Sequence, residues 1–247
     1  MYATLQCGPM DIGHDEASVL NLLKATPAGW DVYFSSAYLN PSQALSQALV
    51  SAGRDTSTKK GLSEDADNNV ANVSSGLSHP GRLELLTAHG DSHGFRGARG
   101  LMGCVPGCYQ YITDKLVERV AAERAMAVGP GDSWSMLMYR REGWTFHAKG
   151  LWSFETPCSG AAGRSPKVGV EAGTGPCVTV VGSSNYGFRS SSLDLESQLV
   201  LLTEQPELSG ALQGEWNQLR ERAVTHTPAA DTPWWAPLLS RVLGKLM

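Results

Sequence analysis

Polar and apolar positions change their period along the chain, and the changes mark out elements. "SVLNLLKATPAG" (18–29) reads as the end of a helix closed by Pro27 and Gly29. "WDVYFSSAYL" (30–39) is rich in aromatic and β-branched residues and predicts a strand. "NPSQALSQALVSAG" (40–53) predicts a helix with Asn40 as N-cap, Pro41 at the first helical position and Gly53 past its end. "RLELLTA" (82–88) reads as a strand running into a glycine-rich loop, "HGDSHGFRGARGLMG" (89–103). Beyond it, Val105, Tyr109, Ile112, Leu116 and Val120 form one stripe of an amphipathic helix.

"SWSMLMYRREGWTFHAKGLWSF" (133–154) predicts two strands around a turn at Glu142-Gly143. Val178–Val181 and "LESQLVLL" (195–202) read as two more strands, and 205–224 as a helix. The alternation of strands and helices predicts a layered α/β domain with a central mixed sheet and helices on both faces. Two polar or irregular stretches, 54–80 and 155–176, read as disordered surface inserts. The domain is therefore expected to comprise 1–53 and 81–225, followed by a tail at 226–247.

Composition narrows the class. A net charge of −4 argues against a nucleic-acid partner. Five cysteines without a repeating spacing suit a reduced, intracellular protein. Cys104 and Cys108 have no second Cys or His pair to complete a four-ligand zinc site. The first residues show no signal or transit peptide, and no apolar run approaches the ~20 residues that span a bilayer.

The candidate chemistry lies in "WTFHAKGLW" (144–152). On an extended strand, Thr145, His147 and Lys149 share one face, while Phe146 and Ala148 point the other way. Imidazole suits proton transfer or nucleophilic attack near neutral pH, and an adjacent ammonium suits a phosphoryl oxygen. Further on, an apolar strand runs into Gly182-Ser183-Ser184-Asn185, with Arg189 shortly after. Gly182 permits close backbone approach, and Ser183 and Asn185 offer polar contacts to an oxyanion.

In this order His147, Lys149, Gly182, Ser183, Asn185 and Glu196 resemble the phospholipase D superfamily signature, H-x-K-x4-D-x6-G-S-x-N followed by an acidic residue. "GWTFHAKGLW", "GSSNYGFRS", "GFRGARGLMGCVPGCY" and "YFSSAYLN" narrow this. They resemble the eukaryotic CDP-diacylglycerol–glycerol-3-phosphate 3-phosphatidyltransferase family. Two departures stand out: Phe154 occupies the Asp position, and Gly182 follows Lys149 by 33 positions where the pattern has 12. The 155–176 insert accounts for the excess.

The resemblance implies a phospholipase D-like fold and a mitochondrial, membrane-associated enzyme needing no metal or other cofactor. Its substrates would be CDP-diacylglycerol and glycerol 3-phosphate. His147 would be the general acid and base, Lys149 and Asn185 would hold phosphoryl oxygens, and Glu196 would orient the imidazole. Arg96, Arg99 and Arg189 would bind substrate phosphate. Such enzymes use two H-x-K motifs, whereas only His147 begins one here. The chain is thus expected to act as a second half, completed by a missing N-terminal half or by a second copy.

Two other readings remain: a phospholipase D-type phosphodiesterase working as a homodimer, and an inactive phospholipid-binding partner. Trp235, Leu238, Leu239, Val242 and Leu246 lie on one stripe of the tail, which suits either a phospholipid surface or the domain core.

Overall fold

The computed structural model describes residues 1–53, 81–125, 134–155, 175–229 and 232–243. Most of both expected inserts lies outside these residues.

Nine strands form one mixed sheet. In chain order they are β1 (Tyr2–Cys7), β2 (Ile12–Gly13), β3 (Trp30–Ser35), β4 (Leu83–Ala88), β5 (Trp134–Tyr139), β6 (Gly150–Glu155), β7 (Cys177–Gly182), β8 (Leu195–Thr203) and β9 (Ala223–Thr225). Across the sheet they run β2-β1-β8-β7-β6-β3-β4-β5-β9. Among the described strands, only β3–β4 and β4–β5 pair in parallel.

The helices are α1 (His14–Ala25), α2 (Gln43–Ser51), α3 (Val105–Ala125), α4 (Phe188–Ser192), α5 (Pro206–Arg220) and α6 (Ala236–Leu243). On one side, Val19 and Leu23 of α1, Leu45 and Leu49 of α2, and Leu116 and Val120 of α3 bury against Val32, Phe34, Leu85 and Val200. On the other, α5 presses Trp216 onto the sheet, stacked on Tyr33 at 4.9 Å and tilted on Trp152 at 5.5 Å. Burial of these two apolar layers is the main force holding the helices to the sheet. The layered α/β architecture is the one the sequence predicts.

Several local expectations change. The N-cap of α2 is Ser42, whose hydroxyl accepts the Leu45 N–H at 3.2 Å. Pro41 instead bridges Gly187, which keeps the chain extended one residue longer. Residues 133–154 do contain the turn at 142–143, but no hairpin. β5 pairs with β4 and β9, whereas β6 pairs with β3 and β7. The last expected helix stops at Arg220, and Ala223–Thr225 pairs with β5. β1 and β2, unread in the sequence, extend the sheet beyond β8.

β6 and β7 pair from Gly150↔Val181 to Phe154↔Cys177. This antiparallel contact brings the residues before Gly150 beside those after Val181, so the two motif segments meet despite the residues between them. Phe154 lies at the far end of β6, buried among Tyr33 and its neighbours. A carboxylate there would be desolvated in the core, which suits the apolar residue at this departure from the signature.

Candidate active site

Adjacent serines at the end of β3 hold the site from beneath. Ser35 Oγ donates to the Ala148 carbonyl at 3.3 Å, between His147 and Lys149. Ser36 Oγ donates to the Asn185 carbonyl at 2.9 Å. One dipeptide thus ties down both motifs, and both serines are fully buried. The sequence reading quoted these serines in "YFSSAYLN" without giving them a role.

Residues 144–149 are not a strand, contrary to the sequence expectation. The Phe146 N–H donates to the Ser92 carbonyl in the glycine-rich loop at 2.9 Å rather than to a neighbouring strand. Phe146 is buried against Tyr139 and His147 is exposed, while Lys149 is buried. The lysine curls back: its Nζ lies 3.1 Å from Nδ1 and 3.3 Å from Nε2 of His147, and donates to the His147 carbonyl at 3.2 Å. The two side chains converge, as the spacing predicted, by this folding back and not by strand alternation.

Burial lowers the His147 pKa below its usual value, and the Lys149 charge lowers it further. Burial also lowers the Lys149 pKa, with the Glu196 carboxylate opposing that shift. Glu196 sits on β8, 5% exposed and paired across the ladder with Gln6. No hydrogen bond joins it to His147; its electrostatic partner in the motif is Lys149. Among the described residues, the orienting role expected for Glu196 has no hydrogen bond to the imidazole behind it; the carboxylate acts on the Lys149 charge.

Gly182 is needed for packing. A Cβ there would lie 2.3 Å from the Ser197 carbonyl oxygen and 2.7 Å from the Gln198 Cα, both backbone atoms of β8. Ser183 is exposed, and its hydroxyl accepts the Ser197 N–H at 3.1 Å. Asn185 is half-buried; its N–H donates to Ser190 Oγ at 3.0 Å, and its buried Oδ1 has no partner. An unpaired buried amide oxygen is costly unless a ligand or water meets it.

Tyr186 anchors this turn from a left-handed conformation, φ 61°. Its hydroxyl donates to Gln198 Oε1 at 2.5 Å. Gln198 Nε2 donates in turn to Asp15, which also accepts from Thr4 Oγ1 at 3.2 Å. Burial raises the Asp15 pKa, although these hydrogen bonds oppose the shift. This buried polar chain escaped the sequence reading because its members come from β1, α1, β7–α4 and β8.

The glycine-rich loop packs beside the histidine segment. Ser92 Oγ accepts the Arg141 N–H at 2.9 Å, and Gly94 leaves room for Tyr38, whose hydroxyl would stand 2.4 Å from an added Cβ. The Tyr38 ring lies edge-on to His147 at 5.9 Å and to His93 at 5.2 Å. Tyr38 was given no role in the sequence reading. Arg96 donates to the Asp91 carbonyl at 3.0 Å and pairs with its carboxylate at 3.7 Å. Arg99 is exposed at the start of the Gly100–Cys104 turn. Arg189 pairs with Asp194 at 2.8 Å. Among the described residues, no group of three or more His, Cys, Asp or Glu is placed to hold a metal ion.

This arrangement presents an exposed imidazole biased toward its neutral form, a buried ammonium against it and, in the second motif, an unpaired amide oxygen. The ammonium can hold an anionic oxygen, the amide oxygen can accept from a hydroxyl, and the imidazole can exchange a proton with a bound group.

No protein-family model matches the chain. It is 30% identical over 229 residues to the mitochondrial CDP-diacylglycerol–glycerol-3-phosphate 3-phosphatidyltransferase of Mus musculus, covering 93% of this chain and 33% of that protein. It is 28% identical over 249 residues to the Homo sapiens protein of the same name, covering 98% and 36%. The chain is similar over most of its length to these phosphatidyltransferases. A probable phosphatidyltransferase of the same name from Dictyostelium discoideum is 28% identical over 219 residues, 89% of this chain and 30% of that one. The chain spans about a third of the length of the curated relatives it matches.

Among solved structures, phosphatidylserine synthase from Haemophilus influenzae superimposes with a TM-score of 0.61. The match covers 99% of this chain and 44% of that one at 13% identity, a likeness of fold. The chain shares the fold of that phosphatidylserine synthase, a layered α/β arrangement around a mixed sheet, the class that the sequence predicts.

Proposed function

We propose that this chain forms one half of an active site that moves a phosphatidyl group from CDP-diacylglycerol to glycerol 3-phosphate. The products are phosphatidylglycerophosphate and CMP. The observation that carries the reading is the convergence of His147 and Lys149 beside Asn185. It stands with 28–30% identity to enzymes of that name over most of the chain. The relatives are named as mitochondrial enzymes, which supports the same location here. A membrane surface is the expected workplace, because one substrate is a diacyl lipid. No described helix is long and apolar enough to cross a bilayer.

In this scheme a histidine from another domain attacks the phosphatidyl phosphorus, forming a P–N bond as the P–O bond to CMP breaks. Taking up a proton as the anionic substrate binds, His147 passes it to departing CMP and is left neutral. It then takes the proton of the glycerol 3-phosphate hydroxyl, whose oxygen displaces the histidine. Lys149 and Asn185 stabilise the phosphoryl oxygens, a contribution on the order of a few kcal/mol for each fixed donor. Arg96, Arg99 and Arg189 would meet substrate phosphates, Arg96 and Arg189 by exchanging their present carboxylate partners.

The second histidine is assigned to the rest of a longer polypeptide. Supporting this, the β1-β8-β7 end of the sheet leaves Leu5, Val181, Leu195 and Leu199 exposed, and Ser183 stands at its rim. Such an apolar strand face normally meets a partner. The domain boundaries, 1–53 with 81–225 and a tail from 226, are part of the same proposal.

The test supplies CDP-diacylglycerol with and without glycerol 3-phosphate to the longest native polypeptide carrying this segment, and follows CMP and lipid product. CMP formed beyond one equivalent per site only with glycerol 3-phosphate, alongside a new phospholipid, supports transfer. Sustained CMP formation without an acceptor indicates a phosphodiesterase instead. Activity from the 247-residue chain alone would place the second histidine in a second copy.

A further inference from the structure

A cavity of about 520 Å³ opens beside the candidate active site. That lies in the range of ordinary small-molecule pockets, about 300–1,000 Å³. Its walls are strongly divided. One end carries Asn185, Ser190 and the Arg189–Asp194 pair. The other is Phe95, Leu101, Met102, Val105 and Tyr109, and Tyr38 packs on Tyr109 at 5.5 Å and on Phe95 at 6.0 Å. The division follows from sequence: the polar end is the turn after β7, and the apolar end is the glycine-rich loop with the first turn of α3.

The apolar end reaches the surface. Leu101 is 56% exposed and Met102 46%, although both also line the cavity. α6 packs on α3 immediately alongside: Trp235 sits so close to Gly107 that an added Cβ would meet its ring at 2.7 Å. α6 and the turn before it leave Trp234 87% and Leu238 66% exposed. The apolar mouth and an exposed apolar helix therefore share one end of α3.

We propose that this cavity binds a hydrocarbon chain of the lipid substrate, entering from a membrane surface at Leu101 and Met102. The proposal rests on the phosphatidyl reading of the neighbouring site. The walls fit it: aliphatic and aromatic groups gain by excluding water from a chain but offer few hydrogen-bond partners to a sugar or base. The polar end fits it too, since the headgroup phosphate of a lipid held this way would lie toward Asn185 and the Tyr38–His147 contact. Trp234 and Leu238 would lie in the interfacial region beside the mouth.

The experiment uses the full chain and phosphatidylcholine vesicles doped with a phosphatidic acid carrying a photoactivatable diazirine near its acyl terminus. Cross-linked peptides are mapped by mass spectrometry, with and without CMP. Labels on Leu101, Met102, Val105 or Tyr109 are expected. They should fall about tenfold in Val105→Trp, which fills the cavity, while labels on Trp234 and Leu238 persist. Leu101→Asp and Met102→Asp, at exposed positions that leave the core intact, should lower the cavity labels similarly. Labels confined to α6, or cavity labels unchanged in all three variants, overturn the proposal. Displacement of the cavity labels by CMP also overturns it, since the nucleotide would then own the space. The readout needs no turnover, so a failed transfer assay with cavity labelling intact would sink only the phosphatidyl-transfer reading.

Discussion

Lys149 holds its ammonium within 3.3 Å of both ring nitrogens of His147, although the two residues lie on no common strand. A cation this close favours the neutral imidazole, and it leaves the lysine itself dependent on Glu196 for electrostatic support.

That dependence is directional. Burial depresses the Lys149 pKa and Glu196 resists the fall. Glu196→Gln should therefore move the Lys149 titration to lower pH, read from the side-chain nitrogen by NMR. The His147 titration should rise slightly, if it moves at all, as Lys149 loses its proton more readily. A large movement of His147 with Lys149 unchanged would show that Glu196 serves the imidazole directly.

Ser35 and Ser36 fix the two motif segments with one hydrogen bond each. Ser36→Ala leaves the Asn185 carbonyl without its partner and should cost about 1–2 kcal/mol in urea unfolding. A larger effect on transfer than on stability is expected, because the turn carrying Asn185 would drift. Unchanged turnover in a destabilised variant would reduce the serine to a structural role.

Gly182 faces backbone atoms of β8, which have nowhere to move. Gly182→Ala should destabilise the fold by about 1–3 kcal/mol, as overpacking does. A thermal melt within a degree of the wild type would show that β7 and β8 separate more easily than their pairing implies.

Stability should also respond to acid through His93. Burial lowers its pKa to about 4, from 6.5 in the unfolded chain. The unfolded state therefore binds more protons between those values, and stability is lost as pH falls through that window, by at most about 3 kcal/mol. His93→Gln removes this term, so the stability difference between variant and wild type should change across pH 4–6.5. A constant difference would show that His93 titrates normally.

The element types were largely legible because period and capping are local. The glycine at 182 and the H-x-K spacing were equally plain, and both belong to the site the structure assembles. Pairing was not legible. The turn at Glu142-Gly143 invites a hairpin, yet β5 and β6 are separated in the sheet by β3 and β4, which only non-local register decides. "YATLQC" lacks the aromatic density that announced β3, and becomes a strand because β8 offers it a full ladder. Tyr38, Ser35 and Ser36 gained their meaning only once β3 was seen to end beneath both motifs.

The most direct test uses the longest native polypeptide that carries this segment, wild type and His147→Ala. Incorporation of radiolabelled glycerol 3-phosphate into lipid is measured with CDP-diacylglycerol vesicles. If His147 is the acid and base of transfer, the variant should lose about 10²–10⁴-fold in rate, with its folded stability close to wild type. Transfer at the wild-type rate would contradict the assignment of this site.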